Sequence, residues 1–248
     1  MRPNIEQENE FYINCLFDKE IGKVARIYLN KRGITKETAK FWKLGYSPIN
    51  IINPIFDIND NFKPWIKLQG RITIPIYNQN DELISISGRL IKKLKNKPKY
   101  DHYPFPSRST LFGLSQNKMN IFNEDRCFVT EGQMDVISSW QAGVTNIVSS
   151  FGAHLSLNHL ALISRYTNNI DIIYDNDFAG YNGANKVKEF KNLGDLNLNI
   201  LRILKEGEDL DSFFKKNKKE DFYNLINNNN QMSILQKKLQ YIKNLNNL

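Results

Sequence analysis

The sequence predicts an α/β protein: a parallel sheet with helices on both faces, preceded by a mixed α+β basic subdomain and followed by a short helical tail. Three observations predict it. From about residue 126, short apolar runs alternate with amphipathic segments of helical length, the rhythm of βαβ units with right-handed crossovers. Ahead of them, two runs of alternating apolar and polar residues flank a polar turn, which reads as a hairpin. With 248 residues, 41% of them apolar, the chain can bury one large core or two modest ones. The boundaries drawn are 1–115, 116–215 and 216–248.

The first subdomain opens with helices. Phe11, Cys15 and Leu16, then Ile21, Val24, Ile27 and Tyr28, recur at the three and four residue spacing of a helix face. Gly33 suits the left-handed position that closes the second helix, and Thr35 suits the cap of a third that carries Ala39, Phe41 and Trp42. After Ser47-Pro48 strands take over. Arg71–Tyr77 and Leu83–Ser87 form the hairpin around Asn78–Glu82, and Pro75 marks its first strand as an edge or a bulged strand. A lysine-dense loop, 92–99, follows.

In the second subdomain the expected strands are Cys127–Thr130, Asn146–Ser149, Asp171–Tyr174 and Leu198–Leu204. The expected helices are Met134–Gln141, Leu157–Arg165 and Ala179–Leu193, the last closed by Gly194. In the tail, Leu235, Leu239 and Ile242 sit at helical spacing.

Charge and rare residues bound the function. Lys and Arg total 34 against 26 acids, a net charge of +8, which favours a polyanionic partner through counterion release. Cys15 and Cys127 lie far apart, and His102, His154 and His159 show no ligand spacing, so neither zinc nor a disulfide framework is expected. No run of eighteen apolar residues and no leader pattern occurs, so no membrane partner is expected and a cytoplasmic location follows.

Ligands of a parallel sheet gather at the carboxyl ends of its strands. Those ends read Glu131-Gly132, then Ser149-Ser-Phe-Gly152, then Asp175-Asn-Asp177, and Asp209 and Asp211 follow the last strand. Each alone is also what a turn or a helix cap looks like. Together, five carboxylates on one rim repel one another unless a cation neutralises them. Oxygen ligands without His or Cys select Mg²⁺ or Mn²⁺, so the cluster predicts a metal site for phosphoryl chemistry.

Glu131-Gly-Gln-Met-Asp135 followed by Tyr-Asp175-Asn-Asp177-Phe-Ala-Gly180 resembles the Toprim pattern of primases, topoisomerases and certain nucleases. Gln141-Ala-Gly-Val and Ser150-Phe-Gly fall in the order found in DnaG-type primases. So do Gly70-Arg71-Ile-Thr-Ile-Pro75, Ser87-Gly88-Arg89, Pro98-Lys99-Tyr100 and Leu111-Phe-Gly-Leu114 ahead of them. The resemblance covers roughly residues 10 to 215 and implies a primase polymerase core, making short RNA primers on single-stranded DNA from ribonucleoside triphosphates in the bacterial or phage-infected replisome.

The resemblance also implies roles. Glu131 would ligate metal and act as base toward the attacking 3′-hydroxyl, and Asp175, Asp177, Asp209 and Asp211 would hold the Mg²⁺ (or Mn²⁺) ions. Asp135 would brace this edge from behind. Arg71, Arg89 and Lys99 would line the path of nucleic acid and nucleotide. The segment between Tyr100 and Leu111 is shorter than the family's and has Arg108 as its one basic residue for such contacts, and Tyr100 and Tyr103, beside the basic loop, are placed to stack on bases. Asn176 stands where the family has glycine. Asparagine best replaces glycine in a left-handed backbone, so the loop is expected to keep its shape and put an amide near the metals. The family's zinc-binding and helicase-docking domains are not in this sequence, so either it is a fragment of a longer primase or the implied partners are a replicative helicase and a separate zinc-binding or initiation factor. The rival readings are a Toprim metal-dependent nuclease and a noncatalytic single-stranded-DNA-binding module.

Overall fold

The computed structural model describes residues 4–49, 51, 64–92, 94–190 and 195–229, and they fall into two units, Met1–Ser115 and Gln116–Leu248. In the first, α1 (Ile5–Phe17) starts where the Asn4 side chain accepts the Glu6 N–H at 2.9 Å, and it buries Tyr12, Cys15 and Leu16. Helix α2 (Lys23–Lys31) buries Ala25 and Leu29. Val24 and Ile27, expected on its inner face, are instead about half exposed. Apolar spacing defines a stripe but not which of two neighbouring stripes packs, and Ala25, with no bulk, lets the backbone come close. Gly33 takes a positive φ of 78°, and the Thr35 hydroxyl accepts the Thr38 N–H to start α3 (Lys36–Phe41).

The sheet of this unit is antiparallel throughout, in the order β1 (Gly45–Ser47), β2 (Arg71–Tyr77), β3 (Leu83–Leu90), β4 (Tyr100–His102). Pro75 lies beyond the three-residue pairing of β1 with β2, where among the described residues β2 has no second neighbour for a missing N–H to fail, and an irregularity follows at Ile76/Tyr77. The short strands β1 and β4 carry no alternation long enough to read from sequence.

Helix α4 (Leu114–Asn123) leads into the second unit. Its strands β5 (Cys127–Thr130), β6 (Ile147–Ser149), β7 (Asn169–Ile172) and β8 (Asn197–Ile200) are parallel, in the order β6-β5-β7-β8. Helices α5 (Gln133–Gln141), α6 (Leu157–Ile163) and α7 (Phe178–Val187) make the crossovers. All four residues of β5 are buried, so both faces of the central strand are covered. The pairing of β7 begins two residues earlier than expected and β8 ends earlier, at Ile200. The expected end of α7 at Leu193-Gly194 lies outside the described residues, as does Lys93.

A short helix, α8 (Leu210–Phe214), follows β8. A further helix over 219–229 packs Phe222 edge-on to Phe128 at 5.2 Å. The rest of the expected tail, with Leu235, Leu239 and Ile242, lies outside the described residues. No described helix is long and apolar enough to cross a membrane.

Candidate active site

The chain passes from β5 out to β6 on one side and then returns to β7 on the other, so the sheet reverses direction between β5 and β7. A crevice at the carboxyl ends of such strands is where open α/β sheets bind ligands. Glu131 leaves β5 and Asp175 follows β7, and across this crevice Glu131 Oε1 accepts the Asp175 backbone N–H at 3.0 Å. Gly180 makes the approach possible. A Cβ there would lie 2.1 Å from the Asp175 carbonyl oxygen and 2.9 Å from Glu131 Oε1. Asp177 accepts the Gly180 N–H at 2.9 Å, which fixes the first turn of α7. Partial burial and the facing charges of Asp175 and Asp177 push the Glu131 carboxyl up to about 7.

Asp135 is buried one helical turn behind. Its two oxygens accept the Gly132 N–H at 3.0 Å and the Asp211 N–H at 3.1 Å, which ties α5 to α8. Burial first, then Asp175, Asp209 and Asp211, raise its pKa to about 8. Asp209 caps α8, accepting the Ser212 N–H at 2.8 Å. Asp211 is only 1% exposed and its carboxylate meets Lys215 Nζ at 3.3 Å. The rim therefore consists of Glu131, Asp175 and Asp177 in front and Asp135, Asp209 and Asp211 behind, with Asp175 an electrostatic neighbour of both Glu131 and Asp135. Among the described residues no three carboxylate, imidazole or thiol groups close on one point. Asp209 is at the same time the cap of α8, and Asp211 lies beside Lys215.

Asn176 also departs from expectation. It is not among the residues with positive φ, and its side-chain amide donates to the Leu204 carbonyl at 3.2 Å. It fastens the loop to the segment after β8 and does not present an amide to the rim. The loop after β6 does adopt the left-handed region, at Phe151 (58°) and Gly152 (133°). This lets the Ser149 hydroxyl and the Gly152 N–H both donate to the Glu131 carbonyl, at 2.6 and 2.9 Å.

The basic residues of the first unit behave in two ways. Arg71 is 1% exposed. It donates to the carbonyls of Lys67, Gly88, Pro98 and Lys99 at 2.9, 3.2, 3.0 and 3.3 Å. Gly88 leaves room for it, since a Cβ there would meet Arg71 Cδ at 2.8 Å. Arg89 is also buried. Its guanidinium donates to the hydroxyls of Tyr28 and Tyr100 and lies 5.1 Å over the Tyr100 ring. Lining a nucleic-acid path does not fit these two side chains. The Nε and Nη1 donors of Arg71 go to backbone carbonyls, two of them in the β3–β4 connection, and those of Arg89 go to tyrosine hydroxyls. Lys99 and Arg108 are exposed.

Tyr103 is no stacking residue either. It is buried, and both its hydroxyl and that of Tyr12 donate to the Glu8 carboxylate, itself buried.

A family profile described as Toprim-like matches residues 128–214. The DNA primase of Staphylococcus epidermidis is 27% identical over 96% of this chain and 43% of its own length. A solved structure of the DnaG catalytic core matches with a TM-score of 0.78 at 27% identity, over 90% of this chain and 78% of that one. The homologues of this chain are DNA primases, and its structural neighbours are DnaG-type catalytic cores. A second DnaG primase catalytic domain, solved bound to single-stranded DNA, matches with a TM-score of 0.73 at 26% identity, over 91% of this chain and 83% of the other.

The DnaG-type likeness spans both units, while the chain covers about two fifths of the length of the curated primases it matches. Three features carried no expectation from the sequence: the buried Glu8, the Ser149 hydroxyl on the Glu131 carbonyl, and the exposed rings of Phe178 and Tyr181. Of these only the second had a signal, in Gly152, whose positive φ follows it.

Proposed function

We propose that this chain is the polymerase core of a primase, a DNA-directed RNA polymerase that joins ribonucleoside triphosphates into short primers on a single-stranded DNA template. The observation that carries the reading is the Glu131–Asp175 pairing at the sheet reversal, in a chain whose fold follows DnaG catalytic cores over both units.

The carboxylates suit a divalent cation. The donors are all oxygen, which selects Mg²⁺ or Mn²⁺, and a bound cation would offset the burial and the facing charges of Asp175 and Asp177 that raise Glu131. Glu131, Asp175 and Asp177 would hold it, with Asp209 behind them as a further ligand. When bound, such ions neutralise the triphosphate and polarise the phosphorus under attack. Asp211, ion-paired with Lys215, is the weakest ligand of the set.

The chain's own groups then do the following. Glu131 keeps Oε1 on the Asp175 N–H and takes the proton of the primer 3′-hydroxyl on Oε2 as the general base. The hydroxyl oxygen bonds to the α-phosphorus as pyrophosphate leaves. Asp135 holds α5 against α8, so that Asp209 stays by the rim. The loop carrying Lys99, anchored by Arg71, and the exposed Arg108 attract the template backbone. A replicative helicase and a separate zinc-binding or initiation factor are the partners such a core would use.

Incubating the chain with single-stranded DNA, Mg²⁺ or Mn²⁺ and labelled ribonucleotides tests the reading. Short labelled oligoribonucleotides are the expected product. Cleaved DNA with no RNA product would replace the polymerase by a Toprim nuclease.

A further inference from the structure

Phe178 follows Asp177 directly and is 82% exposed, and Tyr181, three residues on, is 49% exposed. At that spacing the two side chains share one face of α7, about 5–6 Å apart at Cβ. The Arg202 guanidinium, on the segment after β8, lies 4.5 Å from the centroid of the Tyr181 ring. Two rings and a cation thus line up beside Asp175 and Asp177, in a protein of net charge +8.

We propose that Phe178, Tyr181 and Arg202 form a stacking platform for the unpaired bases of a single-stranded nucleic acid passing the carboxylate rim. The choice of ligand rests on the polymerase reading. Every base offers a π-face to an exposed ring, so such a platform holds a strand without reading its sequence, and a guanidinium beside it serves the phosphates. A protein partner fits less well. The apolar surface is a narrow row between carboxylates and a guanidinium, whereas protein docking needs a broader apolar core with few charges.

The test is fluorescence anisotropy of a labelled oligothymidylate titrated with the full chain in Mg²⁺ without ribonucleotides, at several salt concentrations. Phe178→Ala should weaken binding about 5- to 100-fold and leave the slope of log affinity against log salt unchanged, since a neutral ring displaces no counterion. Phe178→Trp should restore affinity. Both variants should melt with the wild type, because the ring is exposed. Wild-type affinity for Phe178→Ala would overturn the platform. So would an altered salt slope, or a dimer that Phe178→Ala dissociates, which would make the face a self-association surface. Ribonucleotide incorporation is scored separately. Strand binding through Phe178 without any incorporation would sink the polymerase reading and leave the platform standing. Full incorporation by a Phe178→Ala chain of unchanged affinity would do the reverse.

Discussion

Glu131 carries two opposed demands. In the proposed role of base it should sit near neutral pKa, and burial first, then the charges of Asp175 and Asp177, put it there and cost stability when it ionises. Its pKa is raised from 4.5 to about 7, so the folded chain holds a proton that the unfolded chain releases. The associated stability is full below about pH 4.5 and is lost as pH rises through about 7. Glu131→Gln keeps an acceptor for the Asp175 N–H and cannot ionise. Urea melts in EDTA between pH 5 and 8 should show a flatter pH dependence for the variant, the wild type losing about 1–2 kcal/mol more across that range. Primer synthesis by the variant should fall about 100-fold or further. A variant as pH-sensitive as the wild type would show that Glu131 is not the strained group.

At the scale of elements, the far end of the β3–β4 loop is held by the Arg71 side chain together with the bond from the Leu90 N–H to the Lys99 carbonyl. Arg71→Lys replaces a planar fork with a single ammonium that cannot span four carbonyls. It should destabilise the chain by about 2–3 kcal/mol and speed tryptic cleavage at Lys95 and Lys97, measured by urea melts and timed proteolysis. Lys99→Ala should do neither. It should lower the slope of log affinity for single-stranded DNA against log salt by about 1, as expected of an exposed phosphate contact. An Arg71→Lys chain with wild-type stability and an altered salt slope would return Arg71 to the nucleic-acid path. Sequence could not separate these two cations. Both stand in basic segments, and only the side chain's path past Gly88 distinguishes a cross-sheet anchor from a surface charge.

For the whole molecule, the parallel sheet was legible because β5, β6 and β7 are buried runs bounded by glycine and acid turns, and the strand-end rule then located Glu131, Asp175 and Asp177. The antiparallel unit was legible only where alternation ran long, in β2 and β3. Three-residue strands such as β1 and β4 exist through their neighbours. The rear carboxylates were found as residues but not as a geometry, since whether Asp209 caps a helix or Asp211 meets Lys215 depends on where α8 docks. Position along the chain does not encode that docking. What joins the scales is the claim that the rim performs nucleotidyl transfer on a single-stranded template. Incorporation of labelled ribonucleotide on single-stranded DNA, compared between the wild type and Asp175→Asn under one set of conditions, tests it most directly. A drop of about 1,000-fold or more with an unchanged melting temperature is the predicted result, and incorporation at the wild-type rate would contradict it.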